Sequence, residues 1–105
     1  MVIVETSIFT RLICSLLPDE EIRRLQLALV LRPDQGAVIR GAGGLRKIRW
    51  NQPGRGKRGS LRVLYYWDRS ADRVYMIYVF EKTRQADLTA DQIRALGRVV
   101  REELK

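Results

Sequence analysis

Apolar and polar positions in the first third of the chain follow the periods of one short strand and two helices. Residues 2–5 form a short apolar run, and Thr6 or Ser7 offers an N-cap for a helix that reaches about Leu17. A proline then interrupts the pattern, and three acidic residues open a second helix. Its apolar positions repeat at helical spacing until the segment 32–36, RPDQG, ends it. The pattern therefore predicts the order β-α-α.

The rest of the chain has the pattern of strands before it returns to helical spacing. Segments 45–50, 61–67 and 73–81 are rich in β-branched and aromatic residues with alternating polarity. The turns between them are short, which favours an antiparallel meander. Thr89, with a glutamine three residues later, forms a capping box and predicts a last helix to about Glu103.

The predicted order β-α-α-β-β-β-α indicates an α+β fold in one domain over residues 1–105. We expect the two early helices to cover one face of the sheet and to leave the other face at least partly open. No apolar stretch approaches the roughly 20 residues of a membrane span. The amphipathic start, which lacks a basic-then-apolar leader, predicts a cytoplasmic protein without a membrane partner.

The numbers of cysteine and histidine residues limit which metal sites and catalytic groups this chain can have. Cys14 is the only cysteine, and it lies among apolar helix positions, so we expect a buried structural thiol in a reducing compartment. The chain has no histidine, which removes the commonest metal ligand and the commonest general acid–base. We therefore expect no metal and no cofactor, and any catalysis would use lysine, arginine, tyrosine and carboxylates.

The net charge of +8 is concentrated in the middle third of the chain. Residues 1–34 sum to −1 and residues 68–105 to +1, whereas residues 35–67 carry eight cationic side chains and no acidic one. A block this one-sided builds a positive field, and the commonest ligand for such a field is nucleic-acid phosphate. The eight residues are Arg40, Arg46, Lys47, Arg49, Arg55, Lys57, Arg58 and Arg62.

Strand alternation predicts where part of this charge points. Lys47 and Arg49 share one face of their strand, and Arg62 shares a face of the next strand with Leu64 and Tyr66. If the apolar faces lie under the helices, these three cations converge on the open face. A solvated face with scattered cations is the alternative, but exposed sheet faces normally mix signs because opposed like charges destabilise. The segment between the strands adds Arg55, Lys57 and Arg58, and the flanking loops add Arg40 and Lys82.

The aromatic residues divide into two groups. Trp50, Tyr65 and Trp67 are expected to pack in the core or at the sheet edge. Tyr66 or Tyr78 is expected beside the cationic face, where it could stack on a nucleobase or donate a proton.

A cationic face of this kind suits the cleavage of RNA, which carries its own nucleophile. An enzyme must orient the 2′-OH, remove its proton, stabilise the charge on phosphorus and protonate the leaving 5′-oxygen. Arginine forks onto two phosphate oxygens and suits the stabilising role. Neighbouring cations lower the pKa of a lysine, so a lysine in such a cluster can take part in proton transfer. DNA lacks the 2′-OH and would not react.

Three motifs in the second half of the chain belong together. They are GAGGLRKIR at 41–49, GRGKRG at 54–59 leading into RVLYY at 62–66, and YVFEK at 78–82 followed by DLT at 87–89. In combination they closely resemble the HigB-like branch of the RelE/ParE toxin superfamily, and the similarity covers almost the whole chain. The resemblance implies a bacterial type II toxin that cleaves messenger RNA in the ribosomal A site and is silenced by a cognate helix-turn-helix antitoxin.

The resemblance also implies roles for individual residues. Arg40 matches the family's arginine before the first meander strand. Lys47 and Arg49 match its proton-handling and phosphate-contacting pair, and Arg62 matches its transition-state clamp. The further candidates for contact with RNA are Arg46, Arg55, Lys57, Arg58, Tyr66, Tyr78 and Arg84.

The chain departs from the RelE pattern at two places. After the last strand, where RelE has a further arginine, Lys82 is the preferred match over Arg84. The resemblance thus makes Lys82 a catalytic candidate, together with Lys47, Arg49 and Arg62. No tyrosine occurs at 87–89, so the leaving-group acid stays open between Tyr78 and a cation of the basic loop. Two other functions also stay open at this point: a ParE-like inhibitor of DNA gyrase and a non-catalytic RNA-binding domain.

Overall fold

A computed structural model describes residues 1–53 and 60–105 of the chain. It confirms the predicted α+β fold, with three helices and a five-stranded sheet. Among the described residues, no helix is long and apolar enough to cross a membrane. The elements in chain order are β1 Val2–Glu5, α1 Ser7–Cys14, α2 Asp19–Leu31, β2 Ala37–Val38, β3 Arg46–Asn51, β4 Ser60–Asp68, β5 Arg73–Glu81 and α3 Ala90–Val99, which continues into a π-helical segment, Val100–Leu104.

The sheet is a meander with an added strand at each edge. Its order is β1-β5-β4-β3-β2, and β3, β4 and β5 are antiparallel as predicted. The first strand pairs with β5 in parallel, which makes the sheet mixed. The two residues of β2 pair with the start of β3 and were not predicted, because a two-residue strand leaves no measurable alternation in the sequence.

The first helix ends at Cys14, three residues earlier than predicted. The residue before a proline is disfavoured in helical conformation, so Pro18 limits the helix from its C-terminal side. Within the helix, Phe9 and Ile13 face the sheet at a spacing of four residues. Cys14 lies about 100° further around the helix and is exposed, so the expectation of a buried thiol was wrong.

One face of the sheet is covered by α1 and α2, as predicted. Trp50, Tyr65 and Trp67 pack on this helix-covered face, and Tyr65 is fully buried. The Tyr65 hydroxyl donates a hydrogen bond to the Pro33 carbonyl at 2.7 Å and accepts one from the Gly36 N–H at 2.8 Å, which fastens the end of α2 to the sheet. The buried core of this face consists of Phe9, Ile13, Leu17, Ile22, Leu25, Leu29, Ile48, Leu61, Val63, Tyr65, Val74, Met76 and Val79.

The opposite face is partly covered, by α3 and the glycine-rich loop before β3. A Cβ atom on Gly97 of α3 would lie 3.0 Å from the Ala42 Cα, so the close approach of helix and loop requires glycine. This arrangement covers one end of the face. The other end, where β3 finishes and β4 begins, is left for the cationic side chains. Its buried core consists of Ala42, Leu45, Leu64, Ile77, Phe80 and Val100.

A β-bulge in β5 decides which side chains reach the second face. Leu64 lies opposite Tyr78, whereas Tyr65 lies opposite Met76, so Ile77 is an extra residue in β5. Strict alternation from Met76 would put Phe80 under the helices. With the bulge, Phe80 packs in the second core, opposite Arg62.

Candidate nucleic-acid interface

Lys47, Arg49 and Arg62 lie on the second face of the sheet, and we call these three residues the cationic face. Arg49 pairs directly with Arg62 across β3 and β4, and Lys47 pairs with Leu64 of the second core. Directly paired residues have Cα atoms about 4.5–5.5 Å apart, so the two arginines extend from neighbouring points of one surface.

The two paired arginines differ in their surroundings. Arg62 is 8% exposed, and its guanidinium donates a hydrogen bond to the Ser60 hydroxyl at 2.6 Å. Arg49 is exposed and makes no hydrogen bond or ion pair with any described residue. Like charges directly opposite one another destabilise a sheet, and a bound anion would relieve that repulsion.

Lys47 contacts a carboxylate that comes from outside the basic block. Its ammonium donates to Asp87 Oδ1 at 3.0 Å, and its side chain is 30% exposed. The Leu88 N–H, followed by the hydrogen bond from Lys47, holds the pKa of Asp87 below its ordinary value, and the charge of Arg62 acts in the same direction. The lack of any acidic residue at 35–67 therefore does not mean that the folded cationic face lacks a carboxylate.

Arg40 and Lys82 flank the cationic face on two sides. Arg40 is exposed and lines a cleft of about 250 Å³ together with Lys47 and Asp87. Lys82, also exposed, extends the β4–β5 ladder by one step, because its backbone N–H donates to the Ser60 carbonyl at 3.2 Å. It thus lies next to the serine that holds Arg62.

Two predicted RNA-contacting residues are engaged elsewhere. Arg46 lies on the helix-covered face, where its guanidinium donates to the carbonyls of Asp34 and Gly36 at 3.0 and 2.9 Å and lies 5.9 Å from the Trp67 ring centre. Strand alternation explains this, because Arg46 falls on the face opposite Lys47. Arg84 forms an ion pair with Glu81 at 3.4 Å.

The two candidate tyrosines are not equally close to the cationic face. Tyr66 stacks on Tyr75 at 6.3 Å, with the Lys105 ammonium 5.9 Å from its ring centre. It is four residues along β4 from Arg62, a separation of roughly 13 Å. Burial, followed by the charge of Asp68, raises the pKa of Tyr66. Its surroundings hold the ring in a packed cluster.

Tyr78 lies opposite Leu64, two residue pairs away from the Arg62–Phe80 pair in the β4–β5 ladder. Its ring lies 6.2 Å from that of Phe80, and it lines two grooves beside α1, of about 460 and 430 Å³. Of the two tyrosines, the structure brings Tyr78 nearer to the cationic face. The remaining candidates Arg55, Lys57 and Arg58 lie outside the described residues.

A protein-family model matches almost the whole chain. The chain matches, over residues 3–104, the family model described as "RelE toxin of RelE / RelB toxin-antitoxin system". The chain belongs to the RelE toxin family. It is accordingly a toxin of a toxin–antitoxin system, and its family implies an antitoxin partner.

Sequence reasoning missed two neighbours of the cationic face in this RelE-family toxin. Ser60 precedes Arg62 by two residues and was therefore on the same face by alternation, which is a signal that could have found it. Asp87 is 40 residues from Lys47 in the chain, and no spacing rule connects the two positions. In the described residues, no group of three or more cysteine, aspartate or glutamate side chains is arranged to hold a metal ion.

Proposed function

We propose that this toxin is a HigB-like endoribonuclease that cleaves messenger RNA in the ribosomal A site and thereby inhibits translation in the cytoplasm. The observation that carries the proposal is that Lys47, Arg49 and Arg62 share one face of the sheet, with two arginines directly opposite one another. The glycine-rich and basic motifs around them support the HigB-like branch. A helix-turn-helix protein is the antitoxin that this branch leads us to expect.

The proposed reaction is attack of a ribose 2′-OH on the adjacent phosphorus. The 2′-oxygen loses its proton and bonds to phosphorus while the bond to the 5′-oxygen breaks, which leaves a cyclic phosphate and a free 5′-OH. Arg62 stabilises the charge that develops on the phosphoryl oxygens, since a buried guanidinium is held in place before the substrate arrives. Its hydrogen bond to Ser60 keeps that orientation.

Lys47 accepts the 2′-OH proton, because an arginine stays charged and cannot, and Arg49 contacts the phosphate. Arg40 extends the positive field along the RNA backbone, and Lys82, next to Ser60, is the further cation that takes part in catalysis. The leaving 5′-oxygen takes a proton from Tyr78 or from a cation of the basic loop. No step requires a metal ion or histidine.

The test is cleavage mapping on ribosome-bound message with the wild type and Arg62→Ala. Removal of one preorganised donor for the developing charge typically lowers kcat by about 10²–10³-fold, and we expect a loss of at least this size. Arg23→Ala is the matched control, because Arg23 is exposed on α2 and removes one positive charge away from the cationic face. We expect it to cleave like the wild type.

Each other result has a definite meaning. Full activity of Arg62→Ala would refute the assignment of Arg62. Salt-sensitive RNA binding without cleavage on ribosomes would support the non-catalytic RNA-binding domain. Inhibition of DNA supercoiling with translation unaffected would support a ParE-like gyrase inhibitor. Naked RNA does not separate these cases, because the family resemblance implies that the ribosome helps to organise the site.

A further inference from the structure

Asp87 contacts the cationic face through Lys47, and two neighbours in its own segment hold it, although its side chain is 65% exposed. Its carboxylate Oδ1 accepts hydrogen bonds from the Lys47 ammonium at 3.0 Å and from the Leu88 N–H at 2.8 Å. Its carbonyl accepts from the Gln85 amide at 2.7 Å. A free surface ion pair between two long side chains has none of these backbone attachments, so this carboxylate is held before Lys47 reaches it.

The start of α3 fixes the segment that carries Asp87. Thr89 and Gln92 form a complete capping box, with bonds of 3.1 and 2.9 Å between the side chain of each and the backbone of the other. The Gln92 side chain also bonds to Gln85, on the other side of Asp87. The backbone at Asp87 is thus tied through Gln85 to the first turn of the helix, and its position relative to β3 follows from how α3 packs.

A carboxylate at this place opposes the binding of phosphate. Asp87 is negative at neutral pH and lies in a cleft with Arg40 and Lys47, two of the cations proposed to contact RNA. Its charge lowers the affinity of that surface for a polyanion. RNA binding alone therefore does not explain why a carboxylate lies here. The orientation of the Lys47 side chain does explain it. The lysine has four rotatable bonds, and one hydrogen bond to an anchored acceptor restricts them.

We propose that Asp87 is a positioning residue that holds the Lys47 ammonium beside Arg62 for RNA cleavage. This inference rests on the endoribonuclease function proposed above. Asp87 lowers the affinity for RNA. It raises the rate of the chemical step, because it keeps Lys47 in the reactive orientation and stabilises the positive charge that Lys47 gains on taking the 2′-OH proton. Removal of the carboxylate should therefore tighten the binding of RNA and slow the chemical step.

The test compares Asp87→Asn with Asp91→Asn in ribosome-dependent cleavage, with kcat and KM measured separately. Asp91 is exposed on α3 and pairs with Arg94 of the same helix, so its variant removes the same charge without touching Lys47. For Asp87→Asn we expect kcat to fall by about 10²-fold through misplacement of Lys47. We expect KM to fall as well, by up to about fivefold, because a repulsive charge is gone. Asp91→Asn should change neither constant.

A second pair of variants shows whether the effect acts through Lys47. Asp87→Glu keeps the charge and should restore most of kcat. In a Lys47→Met background, Asp87→Asn should have little further effect on kcat, which is the coupling expected of residues in contact. A variant that merely folds poorly would lower kcat in both backgrounds and leave KM unchanged.

The outcomes separate the two proposals. If the wild type cleaves and Asp87→Asn matches Asp91→Asn, the positioning role is refuted and the endoribonuclease function stands. If Asp87→Asn lowers kcat equally with and without Lys47, the positioning role is again refuted. If the wild type itself fails to cleave ribosome-bound message, the endoribonuclease function is refuted, and the role of Asp87 with it.

Discussion

The two faces of the sheet share the same strands but differ in what covers them. On the helix-covered face, α1 and α2 bury a continuous apolar core. On the second face, α3 covers one end, and the other end carries Arg49 opposite Arg62 and Lys47 beside Asp87. The comparison teaches that in this toxin one face supplies stability, so that the other can hold like charges together.

The largest expected effect lies on the helix-covered face. Phe9 of α1 is fully buried, and Phe9→Ala should lower the free energy of unfolding by about 3–5 kcal/mol, because it removes apolar contacts and leaves a cavity. Denaturant unfolding measures this. Arg11→Ala, exposed on the same helix, should stay within about 0.5 kcal/mol of the wild type. A loss below 1 kcal/mol for Phe9→Ala would contradict the assignment of this face as the main source of stability.

A smaller effect of opposite sign is expected on the cationic face. Arg62→Met keeps much of the side-chain volume and removes a buried cation opposite Arg49, so the free energy of unfolding should rise by about 1 kcal/mol. The same variant should lose RNA cleavage. Denaturant unfolding and the ribosome assay on one preparation check both results. A clear loss of stability would mean that the bond from Arg62 to Ser60 contributes more than the repulsion removes, and the contrast between the faces would weaken.

The smallest expected effect is a change in how the free energy of unfolding depends on pH. The Leu88 N–H, and after it Lys47, lower the pKa of Asp87 in the folded chain. Ionised Asp87 therefore stabilises the fold above its unfolded pKa of about 4, and this contribution is lost as the pH falls through the lower folded pKa. Asp87→Asn should depend less on pH than the wild type when unfolding is measured at pH 7 and at pH 3. Equal pH dependence of the two proteins would argue against the hydrogen bonds from the Leu88 N–H and from Lys47 to Asp87 in solution.

Most of the fold was predictable because its elements carry strong local signals. The capping box at Thr89 and the alternation in β4 each need only a few neighbouring residues to be recognised. The parallel pairing of β1 with β5 and the bulge at Ile77 were not predictable in this way. Both depend on which distant strand lies alongside, and the bulge in turn decides that Phe80 faces Arg62.

The sequence by itself determined the α+β class, the concentration of positive charge and the shared face of Lys47 and Arg49, because composition and strand alternation are local properties. Only the tertiary structure decided the chemistry around those cations. It buried Arg62 and brought Asp87 to Lys47 from the segment that precedes α3. These contacts depend on how strands and helices pack across long separations in the chain, and no local pattern encodes that packing.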